Sequence, residues 1–194
     1  MTSNQRNWTV LLTTMLVVGA VVLTIFELNG TDQETVTLTL RLTAFSSLLM
    51  FLLLFIARPL RQLLDSPLTR TLKDNRRYFG IAFAGSHTVH LVLIVIYVFS
   101  EGVPFQTLFI GGVAYAFLYL MLITSFDAPA AAIGPLAWRR LHKAGLYWIG
   151  ATFAFTLSKN FIANPSSRVH QIVVAAMLAA IIVRVIAYLK WARS

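Results

Sequence analysis

The stretch RRYFGIAFAGSHTVHLVLIVIYVFS, residues 76–100, decides the fold class. Two arginines open it, and from Tyr78 to Phe99 there is no Asp, Glu, Lys or Arg. A helix of about 20 residues spans the roughly 30 Å hydrocarbon core of a bilayer. Apolar and polar residues do not alternate here, so the run does not read as a strand. In lipid, a helix satisfies its own backbone hydrogen bonds without a neighbour.

Five further segments read the same way. With the first, they predict transmembrane helices at about 8–28, 36–57, 78–99, 105–124, 141–158 and 169–189. The expected fold is an all-α membrane protein, a single six-helix domain over residues 1–194. Composition agrees: 58% of the 194 residues are hydrophobic and only 12% are charged, against about a quarter charged in soluble domains. The first span is too long for a signal-peptide core and no A-x-A site follows it, so it reads as a retained helix. The chain has no cysteine, which excludes disulfides, iron–sulfur clusters and thiolate metal sites.

The net charge of +9 would suggest nucleic acid in a soluble protein. Here the basic residues sit in a few connections, so the reading is topological and no nucleic-acid partner is expected. The second connection holds Arg58, Arg61, Arg70, Lys73, Arg76 and Arg77; the fourth holds Arg139, Arg140 and Lys143; the C-terminal end adds Arg184, Lys190 and Arg193. The other side has Arg41, Lys159 and Arg168 against Glu27, Asp32, Glu34 and Glu101. Positive connections stay inside, which places both termini in the cytoplasm. The connections are short and contain no P-loop or Gly-rich nucleotide fingerprint, so no cofactor-reducing domain is expected in this chain.

Ionisable residues within a bilayer are costly and mark functional sites by default. The candidates are His87, His90, His142, His170, Arg77, Arg41 and Arg184. His87 and His90 are three apart and project from nearly one face of their helix. Such a pair can bind one metal, place one imidazole on a haem iron, or simply bridge helices through hydrogen bonds. His170 reads as an interfacial histidine. Arg41 and Arg184 are expected to snorkel to the nearest interface. Trp8, Trp138, Trp148 and Trp191 read as interfacial anchors, and Gly111, Gly112, Gly145 and Gly150 as sites of close helix packing.

The order of short motifs carries a family resemblance. Arg76-Arg77-Tyr78-Phe79-Gly80-Ile81-Ala82-Phe83 is followed by Ser86-His87-Thr88-Val89-His90. Thr124-Ser125 comes next, then Trp138-Arg139-Arg140-Leu141-His142 with Tyr147 beyond. Over roughly residues 58–158 this resembles the ferric reductase-like transmembrane domain family, in its short bacterial branch. The resemblance implies a multi-pass protein of the bacterial inner membrane. It also implies b-type haem between the third and fifth helices, held by histidines at two depths. His90 matches the outer histidine of the third helix, and His142 the inner histidine of the fifth. Arg77 falls at the inner depth, beside a haem iron or its propionates. The chain departs from the family at Phe155, where a second histidine of the fifth helix is expected. The resemblance therefore implies incomplete axial ligation at either depth.

Two functions follow as expectations. The first is a haem-b electron-transfer protein, a membrane oxidoreductase subunit supplied by a protein redox partner or a quinol donor. The second is a haem-free family member serving as a structural or assembly subunit of a membrane complex. A small transporter fits less well, because no acidic residue lies mid-membrane and no span is broken at its centre.

Overall fold

The computed structural model describes residues 2–102 and 108–192. The predicted start of the fourth span at Phe105, and Arg193, lie outside the described residues. Seven helices follow in order: α1 Ser3–Asn29, α2 Gln33–Leu63, α3 Pro67–Asp74, α4 Arg76–Glu101, α5 Phe109–Ile123, α6 Asp127–Ala163 and α7 Arg168–Ala192. No strand occurs among the described residues. Each of the six apolar segments read from the sequence lies largely within one of these helices.

Local chemistry sets the boundaries. Thr2 and Gln5 form a reciprocal capping box at the start of α1, and Gly30, with φ of 82°, ends it. The Asp32 side chain accepts the Thr35 N–H at the start of α2, which supplies one of the donors that a first helical turn leaves unpaired. Ser66 caps α3, and Pro67 occupies its first position, where a missing N–H costs nothing. α3 was not anticipated: its eight residues lie inside what the sequence suggested was a connection. Within α6, Gly134 takes φ of 74° and ψ of 165°. That conformation suits glycine, and Pro135 restarts the helix beyond the break.

Four helices, α1, α2, α4 and α7, are each long and apolar enough to cross a membrane. The α5–α6 pair passes the same test jointly but is bent by 112°, giving up to five spans if the pair counts as one. α5 has 15 residues, and the apolar part of α6 is diluted by Lys143 and by Ser158-Lys159-Asn160. Large apolar side chains cover the outside, among them Leu16 at 73%, Leu28 at 78% and Phe99 at 85% exposed. A surface so apolar marks membrane contact, and the long apolar helices fit a membrane protein.

α2 and α4 form the most extensive helix pair, with α1 against α4, α5 against α6, and α7 against α2 and α6. Thr35, Thr39, Thr43 and Ser47 repeat every fourth residue along α2 and are all buried. The hydroxyls of Thr39, Thr43 and Ser47 donate to the carbonyl one turn back. Small self-satisfied residues let two apolar helices approach closely. Ser86 of α4 meets Ser46 and Ser47 at 2.9 and 3.0 Å. The third and fifth spans were expected to pack together. They meet through aromatic side chains, Phe83 and His87 of α4 against Phe153 of α6. The core runs through Phe51, Phe55, Phe83, Leu118, Ile149 and Met177.

Candidate functional site

The gap between α4 and α6 opens into a cavity of about 640 Å³. Its walls are Phe51, Leu54, Phe83, Leu118, Met121, Leu146 and Ile149, and His142 stands in one of them. Arg58, Lys73, Arg76 and Arg77 line the same cavity, with Asp74 and Asp127. Cofactor sites are concave, mostly apolar, and carry a few convergent polar groups within about 300–1,000 Å³. This cavity has that character and adds four cations.

His142 is fixed from two sides. Its Nε2 lies 3.0 Å from Thr124 Oγ1, and Trp138, one turn earlier on α6, stacks on the ring at 4.1 Å. The Trp138 indole N–H in turn donates to the Thr124 carbonyl at 2.8 Å. The Thr124 hydroxyl hydrogen is engaged by the Leu120 carbonyl at 2.7 Å. Thr124 Oγ1 must therefore accept from Nε2–H, which leaves a lone pair on the other ring nitrogen.

Arg77 does not point freely at the cavity centre. One terminal nitrogen donates to the Ser125 carbonyl and pairs with Asp127 at 3.0 Å. Ser125 O also accepts from Asn7 Nδ2 at 3.1 Å, and Asp127 accepts from Ser3. Arg77 thus clamps the α5–α6 turn that carries Thr124. Its Nε is buried with no hydrogen-bond partner.

His87 and His90 lie apart from this cavity. Their rings stack at 5.1 Å with 27° between planes, so they do not converge on one point as chelating ligands would. Tyr115 stacks on His87 at 4.8 Å, with Phe83 at 5.2 Å and Phe153 at 5.7 Å. His90 Nδ1 is 2.9 Å from Thr43 Oγ1, and His87 Nδ1 is buried without a partner. His90 thus bridges α4 to α2 through a hydrogen bond, whereas His87 meets its neighbours through ring contacts. Among the described residues, no three His, Cys, Asp or Glu side chains gather as a metal site.

Phe155 is 52% exposed and lies beneath Lys159 Nζ, 5.7 Å from its ring centroid. Phe153, rather than Phe155, is the α6 residue that meets His87. His170 is held locally, with Nδ1 3.3 Å from the Asn164 carbonyl. Arg184, expected from the sequence to snorkel, makes its hydrogen bonds within the chain, to Phe55 O at 2.6 Å and Tyr147 Oη at 3.0 Å.

Sequence reasoning named Thr124 and Trp138 only as motif residues, without their contacts to His142, and missed Thr43. Trp138 stands four residues before His142, a spacing that stacks side chains on one helix face. The threonines carried no such signal, because each meets its histidine from another helix. Compared with known proteins, the chain matches no family model, no curated protein and no solved structure.

Proposed function

We propose that this protein is a six-span membrane electron-transfer subunit that holds one b-type haem in the cavity beside His142. The carrying observation is that one apolar cavity of about 640 Å³ combines an oriented imidazole with a basic rim. Haem needs an axial donor, an apolar slot and cations for two propionates, and these residues fit it. His142 would supply the donor, and Phe51, Leu54, Phe83 and Leu146 the slot. Arg77, whose buried Nε lacks a partner, and Lys73 would meet the propionates. Bound haem would supply one-electron transfer, and the protein would set its ligation and surroundings. Thr124 and Trp138 orient the imidazole, while Arg77 fixes the turn that carries Thr124.

In this reading α5 and the part of α6 beyond Gly134 each cross the bilayer. The basic cavity rim then faces the cytoplasm, in a bacterial inner membrane, with both termini on the same side. A cytoplasmic or quinol donor delivers electrons there. Among the lining residues only Met121 would offer haem a second donor besides His142, and carbon monoxide binding unchanged in Met121→Leu would show that it does not ligate. The outer depth is filled by Tyr115, Phe83 and Phe153 around His87, which supports one haem rather than two.

Absorption of the purified protein is the test. A Soret band that is lost in His142→Ala and kept in His90→Ala supports the reading. A colourless, folded protein sinks it. One observation favours the haem-free alternative: Thr124 and Trp138 already give His142 a helix-bridging role. A colourless protein destabilised by His142→Ala would establish that alternative.

A further inference from the structure

Arg184 lies inside α7, eight residues from its end, which is about 12 Å along the helix axis. An arginine at that depth is a functional suspect whose partner must be named. Part of its environment follows from Pro59 in α2, which has no N–H and so leaves the Phe55 carbonyl without its helical donor. Arg184 takes that carbonyl at 2.6 Å and lies over the Phe55 ring at 4.2 Å. From α4, Arg76 Nε takes the preceding carbonyl of α2, Leu54 O, at 3.0 Å. Arg76 is within electrostatic reach of both Arg184 and Arg58.

Three guanidinium groups from α2, α4 and α7 therefore converge on one helix end. None of the three forms an ion pair among the described residues. By contrast Arg61 and Arg70 share Asp65, and Arg77 has Asp127. Two backbone carbonyls satisfy hydrogen bonds but do not neutralise three charges, and unpaired charge at membrane depth is costly. The cluster is also open to the outside: Tyr147, which Arg184 contacts, is 49% exposed, and Tyr188 and Trp191 of α7 are exposed near it in sequence.

We infer that Arg58, Arg76 and Arg184 form a binding site for the phosphate of an anionic phospholipid, seated between α2, α4 and α7. Basic pockets between transmembrane helices bind acidic lipid head groups in this way. The depth of Arg184 and the apolar surroundings favour a lipid phosphate over a free one. Arg58 and Arg76 also line the cavity proposed for haem, so the two sites adjoin, and the inference is tested with haemin as a competitor.

Native mass spectrometry of the full detergent-purified chain tests it, with phosphatidylglycerol, phosphatidylcholine or inorganic phosphate added. Phosphatidylglycerol should be retained over phosphatidylcholine. Arg58→Gln and Arg184→Gln should each weaken that retention about fivefold, the scale for one basic residue near a membrane surface. Arg58 is exposed and outside the carbonyl contacts, so its variant keeps the fold even if Arg184→Gln does not. Arg139→Gln, elsewhere on the basic surface, should change nothing. Equal retention of the two lipids, an equal loss in Arg139→Gln, or binding of inorganic phosphate without lipid preference would overturn the site. Displacement of the lipid by haemin would overturn it too, and reassign the arginines to propionates.

Discussion

Thr124 Oγ1 and His142 Nε2 stand 3.0 Å apart and join α5 to α6 beside the cavity. Groups that orient a metal-ligating histidine typically change affinity by about 10–100-fold when removed. Thr124→Val keeps the side-chain shape and deletes the acceptor. It should lower haem affinity by about that factor, measured by haem titration of the apoprotein. Unchanged or tighter binding would mean that His142 must release Thr124 before it can ligate.

His90 is paired across helices in the same manner, through Thr43 on α2, but away from the cavity. His90→Ala should therefore leave the pigment and cost stability. The lost hydrogen bond should cost about 0.5–1.5 kcal/mol, with the space left by the ring adding to it, while Thr43 keeps its bond to the Thr39 carbonyl. Thermal melting in detergent would read this, and loss of the Soret band in this variant would place the haem at the outer depth instead.

The helices were legible in the sequence because apolar runs of bilayer length leave few alternatives. The 112° bend between α5 and α6 was not, because it depends on the turn at Thr124–Phe126 acting with its neighbours. His142 was legible as a buried ionisable residue. Thr124 was not, since a threonine in an apolar run looks the same whether it bonds its own helix or a histidine elsewhere. Arg184 was read by its length, which permits snorkelling; its bond to α2 depends on a carbonyl that Pro59 frees 129 residues earlier.

The turn between α2 and α3 should be acid-sensitive. The Asp65 carboxyl is held below its ordinary value of 3.8 by the Arg70 hydrogen bond first, with the charge of Arg61 adding. A folded-state pKa that is depressed gives stability present above the unfolded value and lost as pH falls through the folded one. Melting temperatures of the natural protein and Asp65→Asn should therefore differ at neutral pH and converge below 3.8. The gap should be small and shrink in salt, because these side chains are exposed. A gap that widens in acid would contradict the ion-pair assignment.

Gly85 marks the closest approach of α1 and α4. A Cβ there would lie 3.0 Å from the Leu11 carbonyl oxygen and 3.3 Å from Thr14 Cβ. Backbone cannot yield as a flexible side chain can, so Gly85→Ala should destabilise by roughly 1–3 kcal/mol, as overpacking does. Gly80 has nothing within 4 Å of such an atom, and Gly80→Ala should be near neutral or slightly stabilising through helix propensity. Equal melting temperatures for the two variants would show that α1 does not pack on α4 as described.

The six-span topology makes the sharpest prediction, because the number of crossings fixes the side of every connection. With the N-terminus inside, a reporter fused after Lys190 should behave as cytoplasmic, and one inserted near Glu101 as periplasmic. The charges set this expectation: Arg58, Arg61, Arg70, Lys73, Arg76 and Arg77 flank one end of α2 and α4, while Glu27, Asp32, Glu34 and Glu101 lie at the other. Moving six cations across the membrane is far costlier than moving a few acids, and orientation follows the basic residues. If α5 and α6 formed one bent span, five crossings would result. The reporter after Lys190 would then appear outside while the one near Glu101 stayed periplasmic. His142 would in that case sit within one broken crossing rather than in a helix that spans by itself. The pair of reporters separates six spans from five, and a third near Ala131, cytoplasmic only if α5 and α6 each cross, separates six from four and tests the setting of the proposed haem site.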